Sequence, residues 1–346
     1  MSKFVSSIAL VLLGAMMVQA QWQRQSVNTT ADFRGLSVVN ENITWASGTR
    51  GTFVRTVDGG KTWQVGAVQG AEDLDLRDIE AFDANIAYVL SIGPGELSRI
   101  YKTTDGGATW TMQFKNTNEK AFFDAFAFWD EDHGIAVSDP VDGKFLFITT
   151  NDGGKSWEPL TPQRIFPAFP GESLFAASGT CIVTQGKTNV WFVTGGPGAR
   201  VFGSTDRGLT WSTTATTIAS GVESAGIFSV AFYDANIGIV VGGDYKKPNE
   251  SKDTVALSSD AGFRWKLNKT ALPAGFRSCV VYVPGTKAKT LIAVGASGSD
   301  ISNDGGETWR EIDKENYNSV RFINTRTGWA VGPKGMIAKF AGDAGR

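Results

Sequence analysis

Residues 103–110 read Thr-Thr-Asp-Gly-Gly-Ala-Thr-Trp, and this pattern occurs six times along the 346-residue chain. Each copy has a hydroxyl residue, Asp two positions later, Gly two positions after the Asp, and Trp three positions after that Gly. The aspartates are Asp58, Asp105, Asp152, Asp206, Asp260 and Asp304. Successive copies are 47, 47, 54, 54 and 44 residues apart, a period typical of repeated sheet units such as propeller blades.

Every member of the pattern has a structural task. The short Asp side chain accepts hydrogen bonds from nearby backbone N–H groups and holds a tight turn, and Gly supplies the positive φ of that turn. The hydroxyl group closes the same turn from its other side, and Trp begins the next strand and is buried between sheets. One carboxylate per turn is too few for a calcium cage. The pattern therefore predicts a structural hairpin turn and no metal site.

Short β-branched and aromatic runs bounded by Asp, Asn or Gly lie between these turns, which indicates four strands per repeat. The last repeat has no copy of the pattern, and Trp22 with its polar successors resembles the missing fourth strand. We therefore predict an all-β, seven-bladed β-propeller of four-stranded antiparallel blades, in which the N-terminal strand closes the ring and removes a free sheet edge. The predicted repeats are 32–66, 75–114, 121–160, 172–215, 226–269, 276–313 and 317–341.

The first 20 residues have the features of an export signal. Lys3 supplies a positive charge, residues 8–18 form an apolar run too short to span a bilayer, and Val18-Gln19-Ala20 offers a cleavage site. We expect a signal peptide over residues 1–20, a single propeller domain over 21–346, and a secreted or periplasmic product without a membrane span. The signal contains no cysteine that could carry a lipid anchor.

Composition argues against several classes of function. The 33 basic and 35 acidic residues give no basic surface for nucleic acid. His133 is the only histidine, so we expect neither a histidine metal site nor a Ser-His-Asp catalytic triad. No Gly-rich loop leads from a strand into a helix, so we expect no nucleotide cofactor. Cys181 and Cys279 lie in non-adjacent repeats, too far apart to bridge, and we expect buried free thiols. We expect a monomer without a cofactor.

The six-fold pattern is similar to the Asp-box, or bacterial neuraminidase repeat. Together with Phe33-Arg34-Gly35-Leu36-Ser37-Val38-Val39 and Gly328-Trp329-Ala330-Val331-Gly332, it resembles, over residues 22–341, the photosystem II assembly and stability factor propellers and their exported bacterial relatives. The resemblance implies a propeller that binds a partner without chemistry, and not binding to a photosystem. The fifth box departs from the pattern, because Arg264 stands where Thr or Ser precedes Trp, which predicts a looser turn.

A binding site is expected on one face of the ring. The fourth-to-first and second-to-third strand connections share the face that surrounds the wider channel mouth, which we call the wide face. Charged groups at a channel mouth suit a protein or glycan ligand, although a solvated rim would have the same composition. The candidate ligand-binding residues are Arg34, Arg77, Asp124, Asp139, Arg200, Asp244, Tyr245 and Arg277.

Two further connections are unusual. Residues 242–253 form a long polar loop that could act as a lid or be a mobile insertion. The connection 158–172 contains four prolines together with Phe166 and Phe169. If these rings are exposed, they mark a partner surface, and if they are buried, they only pack.

A sialidase-like glycoside hydrolase is the alternative function. It requires three arginines that converge on a carboxylate, a Tyr nucleophile activated by Glu, and an Asp acid. The sequence offers Arg34, Arg200, Arg277, Tyr245, Glu172 and Asp124 for these roles. However, the sialidase F-R-I-P motif is replaced by Phe33-Arg34-Gly35-Leu36, and sialidase rings have six blades.

Overall fold

The computed structural model describes residues 21–270 and 272–345, and the predicted signal peptide lies outside them. The described residues form 29 strands and one 3₁₀ helix, Gly95–Leu97. In chain order the strands are β1 Trp22–Arg24, β2 Phe33–Val38, β3 Thr44–Gly48, β4 Thr52–Thr56, β5 Gln64–Ala67, β6 Asp75–Ala81, β7 Ala87–Ile92, β8 Arg99–Thr103, β9 Thr111–Lys115, β10 Phe123–Phe128, β11 Gly134–Val141, β12 Lys144–Thr150, β13 Glu158–Leu160, β14 Ile182–Gln185, β15 Asn189–Val193, β16 Gly195–Gly196, β17 Arg200–Ser204, β18 Ser212–Ala215, β19 Val222–Phe232, β20 Gly238–Asp244, β21 Val255–Ser258, β22 Lys266–Leu267, β23 Cys279–Tyr282, β24 Leu291–Gly295, β25 Gly298–Ser302, β26 Arg310–Asp313, β27 Ser319–Phe322, β28 Gly328–Val331 and β29 Ile337–Phe340.

The strands form seven antiparallel sheets, which are the seven blades of a propeller. Blades 1, 2 and 3 are β2–β5, β6–β9 and β10–β13, and blade 4 is β14, β15, β17 and β18. Blade 5 is β19–β22 with the two-residue β16 added beside β19, blade 6 is β23–β26, and blade 7 is β27–β29 with β1. The predicted fold class, blade number and blade composition are confirmed.

The core lies between neighbouring blades, and the box tryptophans occupy it. Three box tryptophans contact aromatic side chains of the preceding blade, with ring centroids 5.3 Å apart in the pairs Trp63–Trp329, Trp110–Phe53 and Trp211–Phe147. Trp157 and Trp265 instead contact Phe128 and Phe232 of their own blades. At three blade boundaries the box Trp thus contributes a large apolar contact.

The hydrogen bonds of the box explain why its residue types recur. In the second box, Thr103 Oγ1 donates to Asp105 Oδ1 at 2.8 Å and accepts from the backbone N–H of Gly107 at 2.9 Å. Asp105 also accepts from Thr109, through the backbone N–H at 2.9 Å and the hydroxyl at 2.6 Å. The Thr109 bonds lower the pKa of Asp105 to about 2. Because the folded-state pKa is depressed, this carboxylate supports the fold above about pH 4, and that support is lost as the pH falls toward 2.

The fifth box makes fewer bonds than the others. Asp260 accepts from Ser258 Oγ at 3.1 Å and from the Arg264 backbone N–H at 2.9 Å, but residue 264 has no hydroxyl to donate to the second carboxylate oxygen. Ala261 also adopts a positive φ of 62°, in the region that favours glycine. The hydrogen bonding of this turn is thus weaker, as its sequence predicts.

The N-terminal strand closes the ring. Trp22, Gln23 and Arg24 of β1 pair with Phe340, Lys339 and Ala338 of β29. The Trp22 ring is 6% exposed and its Nε1 donates to Ser299 Oγ of blade 6 at 3.1 Å. Blade 7 is therefore built from both ends of the described chain.

Two further features of the fold bear on function. Cys181 and Cys279 are free and buried, as predicted, and they lie at the first strands of blades 4 and 6. Across residues 21–270 and 272–345, no helix is long and apolar enough to cross a membrane.

Substitution of box aspartates tests their structural task. We expect Asp105→Ala to lower the melting temperature more than Asp260→Ala, because the first removes three carboxylate bonds and the second removes two. Differential scanning calorimetry on the two variants and the unchanged protein measures this. Equal losses would contradict the assigned role of the Thr109 hydroxyl.

Truncation of Trp22 tests ring closure. We expect Trp22→Ala to lower the free energy of unfolding by about 3–5 kcal/mol, because it removes a buried ring packed against Phe340 and Tyr317. Urea unfolding monitored by circular dichroism measures the loss. Gln23→Ala, at an exposed position of the same strand, is the control and should be nearly neutral. An equally small effect at Trp22 would mean that β1 does not hold the ring closed.

Candidate functional site

The central channel is filled by the chain itself. Residues 176–180, which precede the first strand of blade 4, contact the first strands of five other blades, and we call them the plug. Ala177 and Ala176 accept hydrogen bonds from Arg34 of blade 1 and Arg77 of blade 2, each at 3.1 Å. Further bonds join Ser178 Oγ to the Ser278 carbonyl at 2.9 Å, Ser319 Oγ to the Ser178 carbonyl at 3.4 Å and Thr180 Oγ1 to Ser229 Oγ at 2.7 Å.

Small residues allow this segment to enter the channel. The run is Ala-Ala-Ser-Gly-Thr, and Gly179 is the tightest point. It has a φ of 72°, and a Cβ there would lie 2.1 Å from Asp78 Oδ1. The first strand of blade 4 begins only at Ile182, because the preceding residues form the plug. The plug separates a cavity on the wide face from a second cavity on the opposite face.

The wide-face cavity has a volume of about 530 Å³ and is lined by residues of all seven blades or the connections that lead into them. Of the eight predicted binding residues, five line it, and these are Arg34, Arg77, Asp124, Asp139 and Tyr245. We call it the axial cavity. Asn318 also lines it, and its side chain donates to the Phe33 carbonyl at 2.8 Å.

Two arginines give the axial cavity its positive charge. Burial, with the neighbouring charge of Arg77, lowers the pKa of Arg34 to about 10, which leaves Arg34 charged at neutral pH. The Arg77 Nε lies 2.7 Å from Asp75 Oδ2 in a half-buried ion pair. Each guanidinium donates one N–H to the plug. The arginines therefore hold the plug and still present charge to the cavity.

Two acidic side chains of blade 3 face the same cavity. Asp124 is 2% exposed, and its Oδ2 has no hydrogen-bond partner among the described residues. Burial and the nearby charge of Asp139 raise the pKa of Asp124 well above its usual range. Burial raises the pKa of Asp139 to about 6, although the Leu174 backbone N–H donates to its Oδ1 at 2.7 Å. Burial thus makes both carboxyl groups of the pair harder to ionise than free aspartates.

These groups suit recognition of an anionic group. Two guanidinium groups face a cavity in which the pKa of the buried Asp124 carboxyl is raised, so this carboxyl repels an anion less than a free aspartate would. Tyr245 is 48% exposed at its edge, and the ring of Phe228, 6.1 Å from the Tyr245 ring, adds apolar surface. The arrangement is thus suited to holding a ligand that has both an acidic and an apolar part.

Three predicted binding residues lie elsewhere. Arg200 is buried and pairs with Glu172, with its Nε 2.8 Å from Glu172 Oε1, and its guanidinium lies 4.1 Å from the Phe169 ring centroid. Arg277 is fully buried, with its Nε 2.6 Å from Asp300 Oδ2. Asp244 accepts from the Lys246 backbone N–H at 3.0 Å and holds a turn. The structure does not bring these three residues to the axial cavity, because the two arginines bond to buried carboxylates and Asp244 bonds to the backbone of its own turn.

The same placement separates the residues required for a sialidase reaction. Only Arg34, Asp124 and Tyr245 of that set line the axial cavity, while Arg200 and Glu172 neutralise each other. Three arginines therefore do not converge. Among the residues that the structure describes, no group of three or more His, Cys, Asp or Glu side chains could hold a metal ion.

Sequence reasoning missed the cavity on the other side of the plug. It has a volume of about 310 Å³ and is lined by later residues of the first strands, including Asp78, Glu80 and Arg321. Burial raises the pKa of Asp78 to about 8 and that of Glu80 to about 7. The alternation of Asp78 and Glu80 along an innermost strand was a signal that could have been used, because residues two apart share one face of a strand.

The fold is that of a seven-bladed Asp-box β-propeller with a cavity at its axis on the wide face. A family model described as photosynthesis system II assembly factor YCF48 matches residues 14–112. The photosystem II assembly lipoprotein Ycf48 of Picosynechococcus sp. is 25% identical over 358 aligned positions, which cover 98% of this chain and 95% of that protein. The resemblance drawn from the motifs is confirmed, because the chain is similar to Ycf48 over almost its whole length.

Solved structures give the same fold. A structure described as YCF48 bound to D1 peptide has a TM-score of 0.67 and 17% identity and covers 94% of this chain and 99% of its own. YCF48 from Cyanidioschyzon merolae has the same TM-score and identity, with 93% and 99% coverage. An ancestral GH74 enzyme has a TM-score of 0.63 at 13% identity and covers 93% of this chain, which spans 46% of that enzyme. These likenesses are of fold.

The Asp139 titration gives a prediction about pH. Because the folded-state pKa is raised to about 6 and an unfolded Asp ionises near pH 4, the folded protein holds the extra proton between these values. The stability contributed by this group is therefore lost as the pH rises from about 4 to 6. Between these pH values we expect the free energy of unfolding to fall less in Asp139→Asn than in the unchanged protein. Urea unfolding at several pH values measures this difference. Asp142→Asn, at an exposed position, should keep the original pH dependence, and the same dependence in Asp139→Asn would contradict the assignment.

Proposed function

We propose that this protein is an exported, monomeric binding or scaffold propeller, and that it holds a segment of a partner protein in the axial cavity. The observation that carries the proposal is the pair Arg34 and Arg77 at a cavity of about 530 Å³. An acidic group of the partner would meet both guanidinium groups, which favour carboxylates through paired N–H donors. The half-exposed Tyr245 would cover an apolar part of the same segment.

A protein partner is favoured over a glycan. The named relative of comparable length is an assembly factor, and the similar solved structure is described as bound to a D1 peptide. Glycan sites commonly expose aromatic faces for sugar rings, whereas two rings that line the axial cavity, Phe175 and Phe228, stack on each other with centroids 3.8 Å apart, and Tyr245 is the half-exposed ring there. We therefore propose that the partner of this chain is a peptide segment with an acidic group. The proposal does not carry over the partner of any relative.

The proposal does not include catalysis. The residues considered for glycoside hydrolysis are divided between the axial cavity and buried ion pairs, and an activated Tyr245 would require Glu172, which is bonded to Arg200, Thr194 and the backbone of Phe169. The likeness to an ancestral GH74 enzyme concerns fold. Export is proposed from the signal peptide over residues 1–20, with a secreted or periplasmic product.

Partner capture tests the proposal. The immobilised protein should retain a specific partner from a host extract, and Arg34→Glu with Arg77→Glu should weaken binding by at least about tenfold, because each reversal replaces an attraction with a repulsion. Binding to the identified partner would be measured by isothermal titration calorimetry.

The controls separate binding from folding. Arg310→Glu, on the exposed last strand of blade 6, should leave affinity unchanged. Because Arg34 and Arg77 also bond to the plug, the melting temperature of the double Glu variant is first compared with that of the unchanged protein. A second double variant, Arg34→Lys with Arg77→Lys, retains the positive charges. Unchanged affinity in a folded double Glu variant would refute the axial site.

A further inference from the structure

A third cavity, with a volume of about 870 Å³, lies between blades 2 and 3 and away from the ring axis. One wall is the third strand of blade 3, β12, and the other is the connection formed by residues 161–167. The end of blade 2, from Phe114 to Asn118, forms one side. We call this cavity the peripheral groove. It shares no lining residue with the axial cavity.

The groove exists because the outermost strand of blade 3 is short. The outermost strand, β13, ends at Leu160 and pairs only with Phe147–Thr149 of β12. Residues 161–167 then bond to blade 4, where the Gln163 N–H donates to the Leu209 carbonyl and the Trp211 N–H donates to the Arg164 carbonyl, both at 2.8 Å. Pro162 and Pro167 have no N–H to donate to a sheet.

This departure leaves part of β12 without an outer neighbour. β12 runs from Lys144 to Thr150, and along the described chain Lys144, Phe145 and Leu146 have no strand paired on their outer side. Their inner side is paired with β11. A strand edge with free backbone donors and acceptors is a template for another strand, and here the edge opens into a cavity.

The walls of the groove are apolar and its charged groups are basic. Leu160, Ile165 and the neighbouring prolines line it, and the Phe166 ring is 51% exposed. Lys144 and Arg164 are the charged lining residues, and neither side chain makes an ion pair among the described residues. Phe169, the other ring that the sequence singled out, is 49% exposed and lies against the Arg200 guanidinium, so both rings of this connection are half exposed.

We propose that the peripheral groove binds an extended segment of a partner protein as an added strand beside Lys144–Leu146. Backbone hydrogen bonds to the free edge of β12 would fix the segment, and its alternate apolar side chains would contact Leu160, Ile165 and Phe166. An acidic side chain of the segment would pair with Lys144 or Arg164. This site is separate from the axial cavity and does not depend on the proposed function.

An array of eight-residue peptides tests the proposal. Each peptide alternates apolar and polar residues and carries one Asp, and the soluble full-length protein is the probe. The strongest binder is then made with a fluorescent label and measured by anisotropy, together with a copy that is N-methylated at alternate residues. We expect saturable binding, and a loss of at least about tenfold on N-methylation, because the methyl groups block the strand hydrogen bonds.

Variants of the protein locate the binding. Phe166→Ala and Lys144→Glu should each weaken binding of the labelled peptide by about fivefold or more. Phe263→Ala removes a ring of blade 5 that is 62% exposed, compared with 51% for Phe166, and should have no effect. The double variant Arg34→Glu with Arg77→Glu should bind the labelled peptide as the unchanged protein does. A failure of the axial proposal is then distinguishable from a failure of the peripheral-groove proposal.

Three outcomes would overturn the proposal. In the first, Phe166→Ala weakens the binding of no peptide in the array. The N-methylated peptide binds as well as its parent, which would make the groove a non-specific apolar surface. Alternatively, a fatty acid displaces a groove-bound dye while no peptide does so, which would assign the groove to small apolar ligands.

Discussion

The hydrogen bonds to the Asp-box carboxylate fix the corner at which the third strand of a blade turns into the fourth. One oxygen accepts from the hydroxyl before the turn and from the backbone N–H after it, as at Asp105. The turn then places the following Trp against the preceding blade, where it buries a large ring. A local polar interaction therefore sets the direction of the largest apolar contact between blades.

Charge is used in two ways in this ring. The pairs Arg200–Glu172 and Arg277–Asp300 are buried and bonded on most sides, so they hold connections in place and offer little to a ligand. Arg34 bonds to a carbonyl of the plug, and Arg77 bonds to a plug carbonyl and to the half-buried Asp75, and both arginines line the axial cavity. A fully enclosed arginine–carboxylate pair thus stabilises the scaffold, whereas an arginine at the cavity wall is accessible to an anion.

Much of the fold could be predicted because its determinants are local and repeated. The box residues at 103–110 act within eight residues, and Trp22 was recognisable from its polar successors. The axial cavity was predicted in part, since the starts of first strands converge on the axis of any propeller, which placed Arg34, Arg77 and Asp124 correctly. Arg200 and Arg277 were not separable from these residues by sequence, because their carboxylate partners are 28 and 23 residues away.

The plug was not predicted for a related reason. Its small residues have no strand periodicity, and its partners, from Arg34 to Ser319, are spread over the whole chain. The peripheral groove also depends on a distant contact, the pairing of residues 163 and 164 with blade 4. The prolines of this connection indicated an interruption, but not the blade to which the chain would turn.

Because β1 is the outermost strand of blade 7, the chain enters the ring at its circumference. The axial cavity and the cavity behind the plug lie instead at the axis, on opposite sides of the plug. The position of three residues thus keeps the point of chain entry away from both cavities.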